Sequence, residues 1–262
     1  MNDRQNLLSY LQDSFRRNGP HGSSWRIGDN KRIVLFLHGI QGSPSQFQWL
    51  VESLPDDVDY INLLLPGHGG TVKAFRRHGR AEWEQAVQSL LDYVLPVYEQ
   101  IDLVGHSMGC LLWLFAHARQ PGRFHSMLFI SCPFALRPTI RYLRNNLLAL
   151  YDFPTKNPYV QATREANSLS SRNPLSYLFC FKPYADLLRM ILSARKVQPM
   201  PPENGAAYVG QKDEIVSPKS LSIAASKGFD TGVLPLCGHN YFTPEAKARI
   251  QENFLRMISQ SK

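Results

Sequence analysis

Residues 100–119 read QIDLVGHSMGCLLWLFAHAR, and two patterns meet inside them. Gln100–Gly105 is a short apolar run of strand length, whereas Met108–Arg119 is apolar almost all round, as a buried helix is. The join, Gly105-His106-Ser107-Met108-Gly109, is then a tight strand-to-helix turn with a hydroxyl at its apex. Composition alone produces a G-x-S-x-G pattern roughly once in ten chains of this length, taking Gly and Ser each near 7%, so its placement decides the reading. A strained turn there projects the serine oxygen from the end of the sheet, and glycines on either side let strand and helix close in. The residue after the serine offers its N–H at the helix N-terminus, where the dipole favours negative charge.

Outward from this turn, strand-like and helix-like segments alternate. Lys31–Leu37, Val58–Leu65, Ser126–Cys132, Ala206–Gly210 and Gly232–Leu236 join Gln100–Gly105 as strands. Between them, Ser43-Pro44 opens a helix, and Glu82–Tyr98 repeats apolar residues at helical spacing through Trp83, Val87, Leu90 and Val94. A last helix from Thr243-Pro244 carries Ile250, Phe254, Met257 and Ile258 on one side. Alternation of this kind predicts an α/β fold with a mostly parallel sheet covered by helices on both faces. Residues 31–132 and 206–262 make up that core, after an N-terminal segment, 1–30.

One segment breaks the alternation. Pro133–Gly205 is too long for a plain crossover and holds helical pieces, with Leu136, Ile140, Leu143 and Leu147 on one face and Tyr184, Leu187, Leu188, Ile191 and Leu192 on another. It reads as an inserted helical cap, 133–205. With ten Lys/Arg and four Asp/Glu it carries +6 of the chain's net +8. Arg137, Arg141 and Arg144 fall on one helical face, a pattern that suits an anionic membrane as well as a plain solvated surface.

A lone serine is a poor nucleophile and needs a base. For an elbow of this type the chain order is Ser, then Asp or Glu, then His. Of the eight histidines, His117 and His125 follow the elbow too closely to leave room for an acid and a strand, which leaves His239 in LCGHNYF. The acid belongs after the preceding strand, in QKDEIV. There Asp213 is the candidate because a short side chain aimed from a turn is more rigid, with Glu214 as its rival. Cys132, at the end of another strand where an acid could stand, has no carboxylate beside it. The loop His38-Gly39-Ile40-Gln41-Gly42 offers the Ile40 N–H as a second donor to an oxyanion, paired with that of Met108. Pro66-Gly67-His68-Gly69-Gly70 lines the same sheet end but lacks the lysine and spacing of a phosphate loop.

Composition sets the remaining bounds. Of 262 residues, 44% are hydrophobic and 19% charged, which is ordinary for a globular chain and too apolar for a disordered one. No apolar run reaches the roughly 18 residues of a membrane span, and MNDRQNLLSYLQDSFRRNG has no signal-peptide core, so the expected location is the cytoplasm. Cys110, Cys132, Cys180 and Cys237 lie far apart, which predicts reduced thiols and no metal site. No nucleic-acid motif is present.

HGIQG (38–42), LLPGHGGT (64–71), GHSMG (105–109), VGQKDEIV (209–216) and GHNYF (238–242) together resemble the α/β-hydrolase family, and within it the bacterial carboxylesterases and monoacylglycerol lipases. The resemblance spans about residues 31–258 and leaves the cap uncovered in detail. It implies a cap shaping an acyl pocket, for which Leu188 and Leu192 are candidate walls beside Ile40 and Met108. The expected chemistry is hydrolysis of a carboxylic ester, lipid esters included, by Ser107, His239 and Asp213 through an acyl-enzyme, with no cofactor. Thioester or amide cleavage, or acyl transfer, would use the same three residues.

Overall fold

Among the described residues, one antiparallel edge strand and six parallel strands build the sheet. They are β1 (Ser24–Arg26), β2 (Arg32–Leu37), β3 (Asp59–Leu63), β4 (Gln100–His106), β5 (Ser126–Ile130), β6 (Asn204–Gly210) and β7 (Asp230–Leu234), in spatial order β1-β3-β2-β4-β5-β6-β7. This computed structural model describes residues 2–15, 19, 21–151, 154–171, 173–198 and 204–259. The expected segments 1–30 and 133–205 therefore include residues (1, 16–18, 20, 152–153, 172 and 199–203) that lie outside the described ones. The helices are α1 (Asp3–Ser14), α2 (Gln48–Val51), α3 (Val72–Phe75), α4 (Arg80–Val94), α5 (Met108–Arg119), α6 (Ile140–Leu150), α7 (Pro158–Ala166), α8 (Phe181–Lys196), α9 (Lys219–Ser226) and α10 (Pro244–Ser259).

β4 sits at the centre, in register with β2 on one side and β5 on the other, so Gly105 pairs with both Leu37 and Phe129. Central strands buried on both faces need apolar residues at consecutive positions, which is why RIVLFL and SMLFI show no alternation. One sheet face packs beneath α4 and α5 through Trp83, Leu90, Trp113 and Phe129; the other packs beneath α2 and α10 through Phe47, Val104, Ile250 and Phe254. Each such fully buried side chain contributes about 1.5–3 kcal/mol of transfer free energy.

Boundaries moved where backbone geometry overrode the apolar run. The last strand ends at Leu234, because Leu236 turns out at φ 58° and is exposed. β5 stops at Ile130, because Ser131 adopts φ 52°. Ser43-Pro44 opens a 310 turn (Pro44–Phe47) ahead of α2, and the Ser43 hydroxyl meets His21 and Ser45 instead of capping it. The N-terminal segment contributes α1, closed by a capping box at Asn2 and anchored by Leu7 and Leu11.

The chain between β5 and β6 holds α6, α7, a second 310 turn (Pro174–Phe179) and α8. Its first residues are laddered onto the loop after β6: Arg137 N–H donates to Ile215 O (2.8 Å), Thr139 N–H to Glu214 O (3.0 Å), and Ser217 N–H to Ala135 O (2.9 Å). The apolar stripe predicted for α6 is real but points outward. Ile140, Leu143 and Leu147 are exposed, and the buried residue of that helix is Asn145, 3.5 Å from the Glu214 carboxylate. A polar side chain faces inward there because a buried carboxylate must find donors.

Candidate active site

Ser107 occupies the turn between β4 and α5 at φ 51°, ψ −117°, a sparsely populated conformation for a residue with a Cβ. The surroundings enforce it. A Cβ on Gly109 would stand 2.0 Å from Leu37 O, and one on Gly105 2.7 Å from Cys110 N, so the helix can approach the sheet only with glycine at both places. Ser107 N–H donates to Ile130 O (2.9 Å). Serine at a helix N-cap ordinarily spends its hydroxyl on the first turn. Here it makes no capping bond, so the oxygen stays available.

Asp213 and His239 meet as the chain order predicts. His239 Nδ1–H donates to the Asp213 carboxylate at 3.0 Å (Oδ2) and 3.2 Å (Oδ1). Asp213 Oδ1 also accepts the N–H groups of Ile215 (2.9 Å) and Val216 (2.8 Å), which pin it against rotation. Burial favours the neutral acid, but the imidazole charge and these donors outweigh it and hold Asp213 below its usual range. For His239 burial favours the neutral ring. The Asp213 charge, its hydrogen bond and the Glu214 charge overcome that and raise the imidazole above its ordinary value. Among the described residues no hydrogen bond joins Ser107 Oγ to His239 Nε2. Such contacts commonly tighten only around substrate.

Sequence reasoning did not find what grips the backbone of His239. Its N–H donates to Glu214 Oε2 (3.1 Å), and its carbonyl accepts His106 Nε2–H (2.9 Å). The rival carboxylate therefore holds the peptide of the histidine while Asp213 holds the ring. Burial and the neighbouring His239 push His106 down to about 3, so it stays neutral with its proton on Nε2. Only the side chain's reach, one methylene longer in Glu214, separates the two roles, and no sequence pattern encodes it.

The loop after β2 closes a turn through Gly42 N–H to Gly39 O (3.0 Å), a bond that does not use the Ile40 N–H. Met108 is the first residue of α5, where N–H groups have no intrahelical acceptor. A Cβ on Gly39 would come within 2.9 Å of Ser107 Cβ, which places this loop directly against the serine. His38 braces it from below. Its Nδ1–H donates to Gly39 O (2.8 Å), and its Nε2 accepts Leu65 N–H (3.0 Å).

Two chambers open at this rim. One, of about 60 Å³, is lined by Gly39, Ile40, His239, Glu214, Tyr142, Asn146, Thr163 and Tyr184 among others, and is slightly more polar than apolar. The second, of about 120 Å³, has apolar walls at Phe47, Trp49, Ile130 and Phe242. They share Gln46, His106, Ala166 and Asn240, and the Gln46 Nε2–H to Asn240 Oδ1 bond (3.2 Å) stands between them. Leu188 and Leu192, expected as pocket walls, line neither. They lie on the exposed side of α8, whose buried residues are Pro183, Met190, Ile191 and Ala194, and Tyr184 is its contribution to the polar chamber.

The sequence profile of the alpha/beta hydrolase family matches residues 34–250, and the chain belongs to that family. A metagenome-derived lipolytic enzyme superposes with a TM-score of 0.69 at 16% identity, over 92% of this chain and 98% of its own. A monoacylglycerol lipase from Paleococcus ferrophilus gives 0.65 at 17%, over 91% and 98%. The N-acyl homoserine lactonase AidH gives 0.61 at 15%, over 95% and 98%. At these identities the likeness is one of fold. A dihydrolipoyllysine-residue acetyltransferase component of the acetoin cleaving system of Pseudomonas putida is 30% identical over 104 residues, which is 40% of this chain and 28% of that protein's length.

Proposed function

We propose that the chain is a serine hydrolase that cleaves carboxylic esters through an acyl-enzyme. The observation that carries this is the buried Asp213–His239 pair, at the sheet rim where Ser107 is held with its hydroxyl uncommitted. In this mechanism His239 Nε2 takes the Ser107 proton as Oγ attacks the ester carbonyl carbon, and Asp213 stabilises the imidazolium. The Ile40 and Met108 N–H groups hold the oxyanion. The carbon–oxygen bond breaks as His239 returns the proton to the departing alcohol. A water, deprotonated by the same nitrogen, then releases the acid. The segment between β5 and β6 serves as the cap, since Tyr142, Asn146, Thr163 and Tyr184 close the polar chamber from above. Paired polar and apolar chambers suit an ester with one hydrophilic and one hydrophobic side. The lipolytic and monoacylglycerol-lipase structures of the same fold agree with that preference.

Turnover of p-nitrophenyl butyrate by Ser107→Ala tests this reading, together with labelling of the wild-type chain by a fluorophosphonate. The expected loss is about 10⁴-fold or more, with labelling confined to Ser107. Undiminished hydrolysis by the variant would refute the mechanism. Faster turnover of a matched thioester or amide would keep the residues and change the substrate.

A further inference from the structure

Among the described residues, thirteen large apolar side chains are exposed, and ten of them lie between β5 and β6. On α6 they are Ile140 (87% exposed), Leu143 and Leu147, one stripe at i, i+3 and i+7. From the 310 turn into α8 they run through Leu178, Phe179, Phe181 (75% exposed) and Leu188. Such side chains cluster where a protein meets another apolar phase, because scattered exposure does not concentrate in one segment. α6 and α8 also supply Tyr142, Asn146 and Tyr184 to the polar chamber, so the helices that carry these exposed side chains also border it.

The charge on these elements has one sign. Across α6, the 310 turn and α8 the single acid is Asp186. It is already engaged by Arg189 (2.8 Å) and by the Arg80 N–H (3.1 Å), with its side chain 15% exposed. Arg144 and Lys196 are exposed and have no ion-pair partner among the described residues. Arg141, expected to share a basic face with Arg137 and Arg144, instead turns to the Lys212 carbonyl and stacks on Tyr159, and Arg137 precedes the helix.

We propose that the outer faces of α6, the 310 turn and α8 are a docking surface for an anionic lipid bilayer, with the two helices lying at the headgroup level. Apolar side chains enter the acyl boundary while Arg144 and Lys196 meet the headgroup phosphates. A second copy of the chain fits less well, because a face with free cations and no free acid opposes like charge to like. No helix among the described residues is long and apolar enough to cross a membrane, so the contact is peripheral. Docking of this kind needs no chemistry at Ser107 and stands apart from the hydrolase reading.

The test is co-sedimentation of the full chain with vesicles of phosphatidylcholine alone, or of phosphatidylcholine and phosphatidylserine in equal parts. The wild-type chain and Ser107→Ala are expected to bind the mixed vesicles equally, and more weakly as salt rises. Arg144→Gln and Lys196→Gln should each weaken binding about five-fold. The triple variant Ile140→Asp, Leu143→Asp, Phe181→Asp should lose it while hydrolysing a short soluble ester at the wild-type rate. Absence of binding by the wild-type chain, or equal binding to neutral vesicles, would overturn the proposal. So would a dimer in sedimentation velocity that the triple variant dissolves while neither protein binds vesicles; that result would give the face to a second copy.

Discussion

Two His–Asp pairs sit at opposite rims of the same sheet. At the C-terminal rim His239 donates to Asp213, whose other contacts are backbone N–H groups. At the N-terminal rim His125 Nδ1 lies 2.8 Å from Asp102, with a serine, Ser126, close by. Residue types and burial are the same, yet the second cluster is wired for structure. Asp102 accepts the Ser126 hydroxyl (2.6 Å) and is paired with Arg32 (3.3 Å), so its charge is spoken for and the serine is bound to the acid, not to the imidazole. At the other rim, among the described residues, no Lys or Arg is paired with Asp213 and the Ser107 hydroxyl makes no capping bond. A base requires an uncommitted acid charge and a nearby free hydroxyl, and a His–Asp contact alone supplies neither.

Substitutions can break this contrast. Asp213→Asn should lower kcat on a p-nitrophenyl ester by about 10⁴-fold by favouring the wrong tautomer of His239. Asp102→Asn should leave kcat within a few-fold and instead cost about 3 kcal/mol in denaturant unfolding, because Arg32 and His125 lose a buried partner. Comparable activity losses in the two variants would mean that the two pairs do not differ in role.

Acid should sharpen it. His68, pushed down to about 4 by burial, and His106, at about 3, take up protons far less readily when folded than when unfolded. Their folded values lie below the unfolded one, so stability is full above about pH 6.5 and is lost as pH falls towards those values. For His68 the loss reaches about 3 kcal/mol, and thermal melts from pH 7 to pH 4 would read it. A flat melting temperature across that range would contradict the buried neutral assignment.

The smallest effect belongs to Glu214. In the proposed mechanism His239 must be neutral to act as base, so kcat/KM should rise with pH through a midpoint above the ordinary imidazole value. Glu214→Gln keeps an acceptor for the His239 N–H but removes a negative charge, so it should move that midpoint to lower pH with only a few-fold change in the plateau. Glu214→Ala should cost more on the plateau. If the glutamine variant leaves the midpoint in place, Glu214 acts on the peptide alone.

How much of this was legible in the sequence follows from what each pattern encodes. Strand ends and chain order point to Ser107 and His239 and narrow the acid to Asp213 or Glu214; which of these two faces the imidazole is a matter of side-chain direction that chain order does not encode. Helical periodicity reveals an apolar stripe without its direction, which is why Leu188 and Leu192 were expected inside and stand outside, and why α6 turned Asn145 inward. α1 carries little apolar periodicity, with two fully buried leucines, and part of its hold comes from Arg4 on Gly28, Asn30 and Asp59, contacts that spacing does not encode. The two-sided hold on the His239 peptide depends on side-chain reach across loops far apart in the chain, and spacing carries no record of that.

The ladder joining residues 135–139 to 214–217 has a mechanical consequence. A door hung on one hinge can swing without disturbing the lock, but here hinge and lock share their fastenings. Swinging the insertion away as a rigid body would break three backbone hydrogen bonds, each worth about 0.5–1.5 kcal/mol net. The same movement would unfasten the turn that aims Asp213. Under the proposed mechanism, access gained that way would leave the acid misaimed, so the ladder ties the position of the insertion to the aim of Asp213.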